Sequence, residues 1–446
     1  MRIGRLQIEN FRNFRRLDVS LASHAVIVGE NKIGKSNLLY ALRLVLDPSL
    51  SDAARQLRDE DFWDGLARPL RLEDKITIAV DLMDFEANVQ LTALLADHLI
   101  DAEPMTARLT FVFQPLSTLE AAPTRSADYE FFIFGGDRGE NEVGHDVRRG
   151  LPLDIMPALR DAEGDIANWR RSPLRPLLEA VASQIDHAHL AELAQGITEA
   201  TAAVTADAEL SALVGRINDR LELMVGEAHA IETTLGFSPT DPDRLLRALR
   251  PYIDGGRRGI HEASLGSANL LYLTLKALEL DQLVAEGERY HTFLGIEEPE
   301  AHLHPHLQRL VYRDFLRKRG EGAADEERRA MTVLLTTHSP HIVSVAPLNS
   351  IVVLRKTTDL QSTEGSSTAE LAFNAADVAD LERYLDVTRG EMLFAKGVVF
   401  VEGDAELFIV PALAKARGVD LDELGITVCS VAGTNFAPYV KLLGAR

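Results

Sequence analysis

Gly29, Gly34, Lys35 and Ser36 stand in GENKIGKS at the spacing G-x-x-x-x-G-K-[ST]. Glycines at those two places let backbone N–H groups converge on phosphate, and a helix N-terminus behind them adds its partial positive charge. Lys35 is the residue to reach the β- and γ-phosphates, and Ser36 the one to ligate Mg²⁺. The intervening Glu30, Asn31, Lys32 and Ile33, with Asn37 on the far side, complete the expected contact surface for a nucleoside triphosphate. The flanks agree: HAVIV at 24–28 reads as a short buried strand, and NLLYALRLVL at 37–46 as a helix with one apolar face.

A phosphate loop needs carboxylates to hold the metal and place water. HTFLGI at 291–296 reads as a strand running straight into Glu297 and Glu298, with Pro299 and Glu300 behind them. Glu297 suits Mg²⁺, through water, and Glu298 suits orientation or activation of the attacking water. Some forty residues on, MTVLLT leads into Thr337, His338 and Ser339, where a histidine can hydrogen-bond the γ-phosphate.

The elements that must carry these groups are strands near 2–9, 16–20, 75–82, 107–113, 129–134, 244–253, 291–296, 331–335 and 350–355. Their continuous apolar runs in the second half suggest strands buried on both faces. Residues 115–128 and 356–371 are polar and turn-rich, and read as loops. Between about 173 and 232 the composition turns to Ala, Leu, Glu and Thr. Leu210, Leu213, Val214, Ile217, Leu221, Met224 and Val225 there fit an amphipathic helix. This segment reads as a helical insertion, either an oligomerisation element or a lid on its own domain. A further unit opens near Lys396, with strands at 397–402 (GVVFVE) and 425–431 around a helix over 404–416.

At 446 residues the chain calls for two or three domains. Hydrophobic content of 46% and charged content of 26% are those of a globular protein. No apolar run reaches membrane-span length, no signal-peptide core opens the chain, and one cysteine, Cys429, leaves no intrachain disulfide or thiolate zinc site. The expected location is cytoplasmic. A net charge of −21 is awkward for nucleic acid, although arginines cluster at 12, 15 and 16, at 148–149, at 170–175 and at 257–258.

The three ordered elements resemble the ABC-type ATPase head in its SMC/RecF-like branch. IENFRNF at 8–14 and EEPEAHLHP at 297–305 are similar to the OLD (overcoming lysogenization defect) family of ATP-dependent endonucleases. That resemblance implies ATP, makes Lys35, Ser36, Glu297, Glu298 and His338 the ATPase residues, and asks for a signature segment capping a partner head's nucleotide. HEASLGSANLLYLTLKALEL at 261–280 is the candidate, with Ser264 and Gly266 opening a helix. VEGDAE at 401–406 resembles the opening of a Toprim (topoisomerase–primase) domain, where Glu402 and Glu406 would serve a Mg²⁺ or Mn²⁺ site. The likeness covers residues 1–84 and 255–446, the middle agreeing only in general character.

The expected architecture is therefore α/β: an ABC-type, SMC/RecF-like phosphate-loop ATPase with mixed sheets and a helical insertion, followed by a partial Toprim domain. The boundaries expected are 1–172 and 236–392 for the ATPase, 173–235 for the insertion and 393–446 for the Toprim start. A Toprim site also needs a D-x-D pair ending a later strand. Asp420 and Asp422 precede the strand at 425–431, which puts them at the wrong end of a parallel pair, so these residues alone do not complete a nuclease centre. His302, His304 and His306 alternate and invite a zinc reading, but no fourth ligand is apparent.

The leading reading is an ATP-dependent DNA endonuclease of that family, a homodimer or higher homo-oligomer acting on DNA in phage defence or repair, with a helicase-type or other defence protein as partner and no membrane. The alternative is a RecF/SMC-like DNA-binding ATPase that does not cleave; a transporter ATPase fits the insertion and the Toprim start poorly. Lys32 adds an unusual charge to the loop. Lys32→Ala is expected to slow ATP turnover about tenfold or more by removing a charge facing the γ-phosphate; unchanged turnover in a steady-state phosphate-release assay would discard that role.

Overall fold

The computed structural model describes residues 1–444 apart from 138, 140, 206, 226–244, 246, 317–329 and 360. It divides into two compact units, one of residues 1–160 with 283–446 and one of residues 161–282.

In the first unit, β1 (Arg2–Phe11) and β2 (Phe14–Ser20) precede β3 (Ala25–Gly29). β4 (Ile76–Met83), β5 (Leu99–Ala102), β6 (Met105–Pro115), β7 (Tyr129–Gly135), β8 (Asn141–Glu142) and β9 (Leu153–Met156) follow. An antiparallel sheet runs β2-β1-β4-β6-β7-β8, with β5 added on β6. The second unit holds a small ribbon, β10 (Tyr252–Ile253) with β11 (Arg258–Gly259). Back in the first unit come β12 (Thr292–Glu297), β13 (Met331–Thr336), β14 (Ile351–Lys356) and β15 (Thr363–Ser367). These join β3 and β9 in a second sheet ordered β15-β14-β3-β13-β12-β9, parallel except for β15.

Helix α1 (Lys35–Leu46) lies between the two sheets, touching β4 and β6 on one side and β3, β9 and β13 on the other. That position explains a departure from the sequence reading. The helix is apolar nearly all round, Leu38, Leu39, Ala41, Leu42, Leu44, Val45 and Leu46 all being buried, because two sheets cover it instead of one. β3 and β13 are buried along their length, and β12 at every residue but its last, Glu297, as their apolar runs required.

Two expectations need correction. The segment 356–371 is not all loop: β15 pairs antiparallel with β14, Leu354 opposite Gly365. Its sequence, TEGSS, has little strand preference. Tertiary packing decides, with Gly365 so close to β2 that a methyl group there would meet Leu17 at 2.5 Å. The strand expected over 244–253 is confined to Tyr252–Ile253, while residues 245, 247 and 248 are helical and 244 and 246 lie outside the described residues.

In the second unit, helices Leu174–Ala182, His187–Thr205 and Ala208–Val225 account for the Ala/Leu-rich segment. On the last of these Leu213 is exposed and Leu210, Val214 and Ile217 are half-buried. A small core of Ala162, Ile166, Ile260, Ala268 and Leu275 anchors the unit near its ends. Residues 226–235 of the expected insertion lie outside the described residues. No helix among the described residues is long and apolar enough to cross a membrane.

β16 (Gly397–Val401) and β17 (Ile426–Ser430) form a parallel pair joined by the helix Asp404–Ala416, the βαβ unit expected after Lys396.

The C-terminal end of α1 depends on one side chain. Arg55 is 1% exposed and donates from Nε to the Leu44 carbonyl at 3.1 Å, and from its terminal nitrogens to the carbonyls of Leu50 and Asp47. Arg55→Ala strands those carbonyls and leaves a void. We expect a loss of about 3 kcal/mol or more in urea unfolding, given ~1–3 kcal/mol per buried unsatisfied group; a loss under about 1 kcal/mol would mean that water replaces the guanidinium.

Candidate functional site

In the second sheet β3, β13 and β12 are parallel neighbours, so the loops after all three emerge at one edge. Gly29 ends β3 and the loop from it leads to Lys35 and Ser36 at the start of α1, Glu297 ends β12 with Glu298 directly after it, and Thr337 and His338 follow β13. The C-terminal edge of a parallel sheet is where such folds bind ligands. Topology thus brings together residues separated by more than 260 positions.

The loop needs both its glycines. Gly29 has φ +152 and Gly34 φ +108, and a methyl group would meet the Leu354 carbonyl oxygen at 2.6 Å in the first case and Asn13 Nδ2 at 2.1 Å in the second. Lys32 also has a positive φ of 63. Gly34 is the N-cap of α1, no acidic residue occupies the helix's first turn, and Ser36 is exposed there. Lys35 is buried, and its Nζ donates to the carbonyls of Gly29 and Glu30 at 2.9 Å each. Desolvation pulls its pKa down to about 8, with Glu298 and Glu300 opposing the fall.

Across from it, His338 Nε2 lies 3.9 Å from Glu298 Oε1. The histidine's pKa is lowered, first by desolvation and then by Lys35, while Glu298 opposes the shift. A neutral imidazole can donate one hydrogen bond and accept another. Glu298 holds φ 43, a left-handed conformation uncommon outside glycine, and its backbone N–H donates to the Thr336 carbonyl at 2.9 Å. Its side chain is 51% exposed and free to meet water. Glu297 is half-buried at the end of β12, opposite Thr336 of β13.

Glu300 escaped assignment from sequence. Its carboxylate accepts from the His338 backbone N–H at 2.6 Å and from Thr337 Oγ1 at 2.9 Å, clamping the loop after β13 to the loop after β12. Burial raises its pKa and the two donors oppose that rise. The visible signal was a third acid in EEPE, but only the fold shows that it faces inward. Asn13 and Arg12 were also missed as supports. Asn13 donates to the Ile33 carbonyl at 2.7 Å and accepts from Asn37 at 2.6 Å; Arg12 donates to Asn37 Oδ1 at 2.8 Å.

Ser264 and Gly266 lie in the second unit. Ser264 caps the helix Leu265–Ala285, its Oγ accepting from the Ser267 N–H at 3.1 Å, and it is exposed. Glu402 directly follows β16, and both Glu402 and Glu406 are exposed, with the Glu402 carbonyl bonded by the Gly433 N–H at 2.8 Å. Because β16 and β17 are parallel, Asp420 and Asp422, ahead of β17, sit at the end opposite Glu402. Two carboxylates are fewer than two-metal phosphodiester chemistry requires, and no cluster of three or more metal-ligating side chains occurs among the described residues. His306 Nδ1 is engaged by Arg309 at 2.7 Å, which suits a helix start better than a metal.

An AAA domain family, described with AbiEii toxin and Type IV TA system, matches residues 25–344, more than half of the chain. The overcoming lysogenization defect protein-like TOPRIM domain family matches residues 393–445. An OLD nuclease of Thermus scotoductus is 25% identical over 97% of this chain and 77% of its own length. The Old nuclease of Escherichia phage P2 is 23% identical over 97% and 73%. The solved C-terminal region of the Burkholderia pseudomallei OLD protein shares 67% identity over 11% of this chain and 26% of that one, with a TM-score of 0.11. Fold and site define an ATPase of mixed α/β sheets carrying a TOPRIM unit. The chain belongs to that AAA domain family, and its residues 393–445 form a unit of the OLD-like TOPRIM type.

The lysine supplies a pH test. Free Lys35 is charged below about pH 8 and neutral above it, and phosphate needs the charged form. One-proton linkage then weakens ATP binding about fivefold between pH 8 and pH 9. Titration with a fluorescent ATP analogue should show this; affinity flat over that range would deny Lys35 its place.

Proposed function

We propose that ATP binds the edge formed by Gly29–Asn37, Glu297, Glu298 and His338, and that its binding and hydrolysis control DNA cleavage at a TOPRIM centre to which Glu402 and Glu406 contribute. The convergence of Lys35, Glu298 and His338 from three different strand ends carries this reading. Lys35 would neutralise β/γ-phosphate charge once it leaves the two carbonyls it now holds. Ser36 and Glu297 would hold Mg²⁺, which supplies charge neutralisation at the transferred phosphoryl group. Glu298 would take the proton of the attacking water, and His338, kept neutral, would donate to the γ-phosphate. Glu300 positions both partners by tying their loops together.

We further propose that Ser264 and Gly266 cap the nucleotide of a second copy, making a homodimer or higher homo-oligomer the working form, with the Ala208–Val225 helix contributing to assembly. The boundaries 1–172, 173–235, 236–392 and 393–446 are carried as part of this proposal. So are Mg²⁺ or Mn²⁺ at the TOPRIM carboxylates, a cytoplasmic location, a role in phage defence or repair, and a helicase-type or other defence partner. The comparisons lend no support to a DNA-binding ATPase without cleavage.

Glu298→Gln is expected to keep ATP affinity while turnover falls about 10²-fold or more, the scale of general-base contributions; wild-type turnover would move the base elsewhere. In a chain carrying a whole TOPRIM carboxylate set, Mg²⁺- or Mn²⁺-dependent plasmid nicking should vanish with Glu402→Ala. Nicking in both proteins, or in neither, would remove the nuclease role from Glu402.

A further inference from the structure

The parallel βαβ unit presents a problem of distance. Its N-terminal edge, not its Glu402 edge, lies toward the phosphate loop: Glu30 lines one cleft of about 420 Å³ together with Lys396, Asp422, Gly425 and Ile426. An open cleft offers few packed contacts through which one side could act on the other. Glu402 stands at the far ends of the same strands. A signal from nucleotide to Glu402 therefore needs a packed route around this cleft.

Such a route exists. His338 is followed by Ser339, whose hydroxyl donates to the buried Gln308 side chain at 2.6 Å and accepts from the His341 N–H at 3.2 Å, capping the short helix Pro340–Val343. Thr337 and His338 are both tied to Glu300, so the segment is bonded at each of its first three residues. Pro340 meets Gly390 with no room to spare: a methyl group on Gly390 would stand 3.3 Å from both Pro340 Cβ and its carbonyl oxygen. The neighbouring Arg389, its side chain 15% exposed, donates from Nε to the Ser430 carbonyl at 2.7 Å, at the last residue of β17. From Ser430 the chain turns through Ala432 and Gly433, both at positive φ, and the Gly433 N–H bonds the Glu402 carbonyl. Val431 likewise bonds back to Val401 at 2.9 Å.

We propose that Arg389, seated by Gly390 against Pro340, is a positioning residue that passes the state of the His338 loop to the Ser430–Gly433 turn and thereby sets the placement of Glu402. The proposal deepens the ATP-site reading and rests on it. Arg389 is not among the residues proposed to hold nucleotide or metal; it acts through the backbone that carries Glu402. Its guanidinium suits the task because a charged planar donor holds a carbonyl in a defined direction. Gly390 suits it because its φ of −58 is ordinary helix, so a methyl group there would disturb only the close fit against Pro340.

The test is hydrogen exchange of the chain with and without AMP-PNP and Mg²⁺, alongside nucleotide affinity. In the unaltered protein, nucleotide should slow exchange at 29–36 and, at least threefold, at 398–404 and 428–434. In Arg389→Ala the response at 29–36 and the affinity should stay within twofold of the parent, while the response at 398–404 and 428–434 disappears. Gly390→Ala, whose backbone conformation is allowed, should weaken that distant response by half or more, and it decides the matter if Arg389→Ala does not fold. Persistence of the distant response in both variants overturns the proposal, as does its absence in the parent when 29–36 is protected. Failure of nucleotide to bind or to protect 29–36 would instead sink the ATP-site reading, and this inference with it.

Discussion

A desolvated ammonium is the constraint around which this site is built. Lys35 begins a helix enclosed by two sheets, so its charge is carried into a region with little water, and only carbonyls and two acids are close enough to offset it. Burial of an unpaired charge is costly, and a polyphosphate is the partner that would satisfy it best. The same requirement explains the loop's backbone. Gly29 and Gly34 adopt conformations and close approaches that a side chain would forbid, which is what a backbone wrapped closely around an anion would demand.

The acids opposite obey a second constraint, that of sheet topology. Parallel strands place their successive C-terminal loops on one edge, so Glu298 after β12 and His338 after β13 meet without any local sequence relation. Glu300 then locks the two loops by accepting from the His338 backbone and the Thr337 hydroxyl. The same segment continues into the short helix whose Pro340 packs beside Gly390.

The residues proposed for the site stand out because their chemistry is written in consecutive letters: GENKIGKS, the Glu297–Glu298 pair after an apolar run, and VEGDAE at a strand end. The main strands were readable for the same local reason, with apolar runs at 291–296 and 331–335 matching β12 and β13 closely. Reading failed where long-range contacts overruled local preference. TEGSS has no strand character, yet the free edge of β14 and the proximity of Leu17 make it β15. One apolar face was read on α1, though two sheets bury it on nearly every side.

What the amino-acid order determined by itself is therefore the inventory of candidate groups: a phosphate-loop motif, a pair of acids, a histidine, and two carboxylates in the unit matched as TOPRIM. Period, spacing and residue type are local properties, and they survive without knowledge of the fold. Only the tertiary structure decided which of these groups face one another, that Glu300 points inward to clamp two loops, and that Arg389 reaches the end of β17. Those outcomes depend on strand order and on the direction each buried side chain takes, which are set by packing among residues far apart in the chain.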